Sequence, residues 1–149
     1  MPYTLRAHET LYRGVRFRSR LEARWAAFFD LVEWNWKYEP IDLEGWTPDF
    51  WVSFPCGHSE CPETHELYVE VKPYYSIKEF DNHIVSRLVD DPGNGPPHPA
   101  MFGIDPSVVS WQMVHGAGGG YEGNLQNWTC HSVEDAWTEA GNLVRWRPR

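Results

Sequence analysis

Leu67-Tyr68-Val69-Glu70-Val71-Lys72 is the stretch on which the fold turns. Leu67, Val69 and Val71 fall on one side of an extended chain, and Tyr68, Glu70 and Lys72 on the other, as a period of two requires. One face is therefore wholly apolar and needs cover. The other carries an acid and a base two positions apart. Upstream, Trp46 to Phe54 reads as a second strand, with Trp46, Phe50, Val52 and Phe54 on one face and Asp49 directly after Pro48. Residues 55–66 have turn composition, so the two strands form a long hairpin.

Working outward, Ser19 to Val32 reads as a helix, because Leu21, Trp25, Phe28, Phe29 and Val32 follow the 3.6-residue period. Ser19 suits its N-cap, with Glu22 three positions on as in a capping box. Tyr12 to Phe17 reads as a short strand or arm, and Trp36 to Ile41 as a further strand. Beyond the hairpin, Ser76 to Val89 reads as a helix and residues 90–99 as a loop. Ala100 to Ile104 and Val108 to His115 read as strands, and residues 116–124 as a glycine-rich loop. Ser132 to Ala140 reads as a helix stopped by Gly141, and Leu143 to Arg147 as a last strand. Strands alternating with helices around a mixed sheet indicate an α/β or α+β domain, read here as α/β with a central mixed β-sheet flanked by helices.

The 149 residues fit one domain, 1–149, with a Cys/His-bearing hairpin insert at 55–66. No apolar run approaches the roughly 20 residues that cross a bilayer, and Met1 to Thr10 is too polar for a signal peptide. The expectation is a cytoplasmic protein with no membrane partner. Three Cys, an odd count, argue against a disulfide framework. Nine Trp, seven Tyr and seven Phe make the chain unusually aromatic, chiefly for core packing.

The formal net charge of −8 is unevenly spread. Residues 1–24 hold six Arg against Glu9 and Glu22, a net of +4. Residues 141–149 add three Arg, and residues 25–140 carry −15. If the chain ends meet, they form a basic patch beside an acidic pocket, with Arg13, Arg16, Arg18 and Arg20 facing nucleic-acid phosphates. The plainer alternative is that these Arg are simply solvated.

Asp49, Glu70 and Lys72 would gather two carboxylates and an ammonium at one sheet edge. Adjacent carboxylates resist joint ionisation. A hard divalent cation removes that resistance, takes one or two carboxylates plus substrate phosphate, and activates water. Lys72 can orient that water or stabilise charge in the transition state.

Pro48-Asp49 followed by Glu70-Val71-Lys72 resembles the signature of the PD-(D/E)XK nucleases. Phe17-Arg18-Ser19-Arg20-Leu21-Glu22-Ala23-Arg24-Trp25 is similar to the first-helix segment of small phage and transposon-associated members. Trp137-Thr138-Glu139-Ala140-Gly141-Asn142 is similar to phage-type members. The resemblance implies a restriction-endonuclease-like fold and a Mg²⁺- or Mn²⁺-dependent endonuclease acting on DNA, with RNA left open. It implies Asp49, Glu70 and the Val71 backbone carbonyl as metal ligands, Glu22 as a ligand directly or through water, and Lys72 as the catalytic cation. A homodimer or a partner protein fits the same picture. The alternatives are a catalytically silent module binding nucleic acid or protein on the same fold, or a subunit active only within a larger complex.

Cys56, His58, Cys61 and His65 lie within ten residues and are ligand types that Zn²⁺ favours. They read either as a structural zinc site pinning the hairpin or as a plain polar loop. Gly118 to Gly123 fits G-x-G-x-x-G, but no helix pattern follows, so it reads as a loop and not a nucleotide site.

Overall fold

The computed structural model describes residues 9–43, 45–55, 64–90, 98–115 and 118–145. It is an α/β structure. Two short strands, β1 (Thr10–Tyr12) and β2 (Val15–Phe17), form a hairpin of their own. Its turn, Arg13-Gly14, has φ of 50° and 80°, the paired positive values that a two-residue hairpin of right-handed twist demands. Helix α1 (Arg20–Leu31) follows.

The remaining strands build one six-stranded mixed sheet, in chain order: β3 (Asn35–Tyr38), β4 (Phe50–Pro55), β5 (Thr64–Val71), β6 (Pro99–Phe102), β7 (Val109–His115) and β8 (Gly118–Glu122). Every pairing is antiparallel except β5 with β6. A parallel pair needs a crossover. Here it contains a 3-10 turn (Ile77–Phe80) and helix α2 (Ile84–Asp90). A second 3-10 turn (Leu125–Trp128) leads to helix α3 (Val133–Leu143).

The sheet is packed on both faces. Phe50, Val52, Phe54, Leu67, Val69, Val71, Phe102 and Trp111 meet Trp25, Phe28 and Phe29 of α1 and Ala136 and Ala140 of α3 in one buried cluster. Trp46, Phe80, Val85, Val89 and Met101 form a smaller cluster on the opposite face. The alternation read in 67–72 is thereby explained: the Leu67-Val69-Val71 face packs under α1. Tyr68 borders the smaller cluster, while Glu70 turns to a cleft beside it.

Several expected elements differ. The strand beginning at Trp46 starts only at Phe50. Trp46 closes a local bridge with Leu43 and joins the opposite cluster. The helix expected over Ser76 to Val89 breaks into two pieces around Asp81-Asn82-His83, residues that compete with the backbone for hydrogen bonds. The His83 ring accepts the Val85 N–H at 3.0 Å and restarts the second piece. The glycine-rich loop contains strand β8, paired with β7 from Trp111↔Glu122 to His115↔Gly118. Glycine offers a full set of ladder groups but no side-chain alternation to read.

Gly141 does not end α3, which runs to Leu143 with Val144 at its C-cap, so no strand starts at Leu143. A Cβ at Gly141 would stand 2.9 Å from Cζ of Arg24, so the glycine admits a guanidinium from α1. No helix among the described residues is long and apolar enough to cross a membrane.

Candidate functional site

The antiparallel register Phe50↔Val69 fixes the centre of the site. Asp49 stands just before β4, where the ladder ends, and lines the same cleft as Glu70. Asp49 is clamped to the β5 backbone: its N–H donates to the Val69 carbonyl at 2.8 Å, and its Oδ2 accepts the Val71 N–H at 2.8 Å. Helix α1 brings Glu22 to the same place. The Ser19 hydroxyl accepts the Glu22 N–H at 3.1 Å, as an N-cap should. The Glu22 carboxylate does not close a capping box. It accepts the Tyr38 hydroxyl at 3.0 Å and Arg18 at 3.3 Å.

Glu22, Asp49 and Glu70 are 6%, 4% and 5% exposed. Carboxylates so deeply buried require partners. Glu70 has three. The Trp46 indole donates to its Oε1 at 2.7 Å, and Lys72 Nζ stands 3.4 Å and His83 Nε2 3.5 Å from its Oε2. Because His83 Nδ1 accepts the Val85 N–H, the neutral ring carries its proton on Nε2, facing Glu70. Asp49 meets Arg18 Nη2 at 2.6 Å through its Oδ1. The same nitrogen lies 3.3 Å from Glu22 and 3.3 Å from Glu39.

Burial, then the neighbouring charge of Glu70, pushes the Asp49 carboxyl up to about 8, against the opposing pull of the Val71 N–H. Burial lowers the Arg18 pKa. The Tyr38 hydroxyl and the charges of Glu22, Tyr38 and Asp49 outweigh it and hold Arg18 above its ordinary range. Tyr38 is itself pushed up to about 12, first by burial.

These groups line a cleft of about 450 Å³ between the start of α1, the 45–47 turn and the start of α2. Glu22, Asp49, Glu70 and Lys72, all marked by sequence, line it together. Sequence reading missed His83, Trp46 and Tyr38, and it placed Arg18 outside the acidic pocket. No local motif marks the first three. Each reaches the site through a turn or strand end whose position depends on packing.

The other expected Arg contacts divide. Arg13 pairs with Asp30 and Arg16 with Glu9, each at 3.2 Å, and Arg20 is exposed. Arg24 lies 4.1 Å over the Trp137 ring and donates to the Trp137 carbonyl, tying α1 to α3. Cys56, His58 and Cys61 lie outside the described residues. His65 is in β5, on the buried face, with its ring against Phe54 and Trp128.

Among the described residues, no three His, Cys, Asp or Glu converge closely enough to hold an ion by themselves. Mg²⁺ does not demand three: one or two carboxylates with water and substrate oxygens suffice. The donors offered by Asp49, Glu70 and the Val71 carbonyl are all oxygen. Among the described residues, Arg18 and Lys72 are the permanent cations paired with the three buried carboxylates. The residues therefore fit a hard divalent ion. No protein-family model, curated protein or solved structure matches the chain.

Proposed function

We propose that the chain is a divalent-metal-dependent endonuclease that hydrolyses phosphodiester bonds in DNA, on a restriction-endonuclease-like fold. The supporting observation is the union of Asp49, Glu70 and Lys72 at one end of the β4–β5 pair, with Glu22 entering from α1. That combination carries the Pro-Asp and Glu-X-Lys resemblance from sequence into space.

Asp49, Glu70 and the Val71 carbonyl would hold Mg²⁺ or Mn²⁺, with Glu22 contributing directly or through water. The bound ion would polarise the phosphoryl oxygen and make its water a better nucleophile. The chain supplies the rest. Lys72, 37% exposed, reaches from Glu70 into the cleft, where its ammonium orients a water or meets the developing phosphoryl charge. The Trp46 indole orients the Glu70 carboxylate through Oε1 while leaving it lone pairs to offer, and His83 Nε2 stands 3.5 Å from its Oε2. Ile84, Pro73 and Trp46 complete the wall of the cleft.

The test is cleavage of single-stranded, duplex and branched DNA, and of RNA, with Mg²⁺ or Mn²⁺. Lys72→Ala, Asp49→Asn and Glu70→Gln should each lower the rate by about 100-fold or more. Equal background cleavage by wild type and Lys72→Ala on every substrate would overturn the reading.

One observation favours a second reading, a silent binding module. Arg18 already neutralises Asp49 and Glu22, as in a purely structural ion-pair network. Nucleic-acid binding that survives Asp49→Asn and Glu70→Gln and ignores divalent ions would support it.

A further inference from the structure

One nitrogen of Arg18 occupies the centre of the acidic cluster. Nη2 stands 2.6 Å from Asp49, 3.3 Å from Glu22 and 3.3 Å from Glu39. A guanidinium nitrogen carries two hydrogens, so it cannot donate to three carboxylates at once. A spherical cation has no such limit. The contact to Asp49 is at charge-assisted hydrogen-bond length and uses the oxygen that the Val71 N–H leaves open.

Arg18 is not locked in place by packing. Its side chain is 59% exposed, while its three carboxylate partners are 8%, 41% and 5% exposed. Glu22 and Asp49 are thus fixed by burial, and the cation is the movable member. Its other anchor is the Tyr38 hydroxyl, which accepts the Arg18 Nε–H at 3.1 Å and the Arg18 backbone N–H at 3.2 Å. Tyr38 also donates to Glu22, so Glu22 keeps a partner if the guanidinium departs. Opening the pair with nothing in its place would leave buried carboxylates short of a cation, so the guanidinium departs only as an incoming ion takes over its charge.

We propose that Arg18 is a tethered cation that competes with the divalent ion for Asp49 and Glu22: the guanidinium leaves Asp49 when the ion binds and returns when it dissociates. The inference rests on the metal-dependent reading above and adds an exchange to it. Without the ion, Arg18 screens the carboxylates from one another and closes the position to other cations. With it, the positive charge passes to the ion, and Asp49 Oδ1 and Glu22 Oε2 are released to coordinate. The site then has an ion threshold set by the chain itself, because every incoming ion must displace an internal competitor.

The test measures free Mn²⁺ by electron paramagnetic resonance during titration of the full chain, as wild type, Arg18→Met, Arg18→Lys and Asp49→Asn. Removing a charge this close should tighten Mn²⁺ binding in Arg18→Met by at least about tenfold. Arg18→Lys should stay nearer to wild type, and Asp49→Asn should bind more weakly than either.

Equal or weaker binding in Arg18→Met than in wild type overturns the exchange. With Asp49→Asn still impaired, that result leaves the metal site standing. No binding by wild type or by Arg18→Met overturns both the exchange and the metal-dependent reading. A second measurement needs no neutral variant: the Arg18 Nε–H resonance, assigned by its loss in Arg18→Lys, followed during Mg²⁺ titration. It should shift and lose protection from solvent as the ion saturates. An unchanged resonance at saturation overturns the exchange.

Discussion

Asp49 shows what the surroundings do to a single carboxyl. An ordinary aspartate ionises near pH 3.9. Here burial and Glu70 push that ionisation to about 8, with Glu22 adding to the upward shift. The folded state consequently holds a proton that the unfolded chain has released over that interval. The sign follows: the Asp49 contribution to stability is fully present below about pH 4 and is lost as pH rises through 8. In the metal-free protein, thermal melts between pH 5 and 8.5 should decline with pH more steeply for wild type than for Asp49→Asn, which has nothing to ionise. Mg²⁺ should raise the wild-type melting temperature little at pH 5.5 and most at pH 8.5, because the ion competes with that proton. A Mg²⁺ increment independent of pH would contradict this account.

At the scale of elements, the α1–α3 contact is set by one close approach. Gly141 sits in the last turn of α3, where alanine is ordinarily better by up to about 1 kcal/mol. An added Cβ would lie 2.9 Å from Cζ and 3.0 Å from Nε of Arg24. That guanidinium is held by two hydrogen bonds to the Trp137 carbonyl and by the Trp137 ring. Gly141→Ala should therefore fail to stabilise the wild type, yet gain up to about 1 kcal/mol in an Arg24→Ala background. Urea denaturation of the four proteins would show the non-additivity, and equal effects in both backgrounds would refute it. This contact also explains a misreading. A glycine near a helix end ordinarily signals a C-cap, and no local pattern tells a cap from a space left for another helix. Strand β8 was hidden for a related reason: its glycines pair through the backbone, whereas strand reading depends on side chains. Helix α1 was legible because Leu21, Trp25, Phe28 and Phe29 repeat at helical spacing behind Ser19, with no contribution from distant residues.

Over the whole molecule, the aromatic content is concentrated where the two largest layers meet. Trp25 is fully buried, meets Phe28 edge-on, tilts against Phe29, Phe102 and Trp137, and donates its indole N–H to the Gly103 carbonyl at 3.0 Å. It joins α1, the end of β6 and α3. Trp25→Ala should cost about 3–5 kcal/mol, a large share of the 5–15 kcal/mol that holds a typical domain. Chemical denaturation would measure it, and a loss below about 1 kcal/mol would mean the layer repacks. The sequence by itself determined a mixed sheet with helices, helix α1 with its Ser19 cap, and the two-sided strand that sets Glu70 and Lys72 together. Those features depend on neighbours within a few positions, so periodicity and capping suffice to write them. Only the tertiary structure decided that Asp49 and Glu70 share one cleft, that Trp46 hydrogen-bonds that glutamate with His83 beside it, and that Arg18 enters the acidic cluster. Each of those placements joins residues 13 to 31 positions apart, and their meeting depends on strand register and layer packing, which no local pattern encodes.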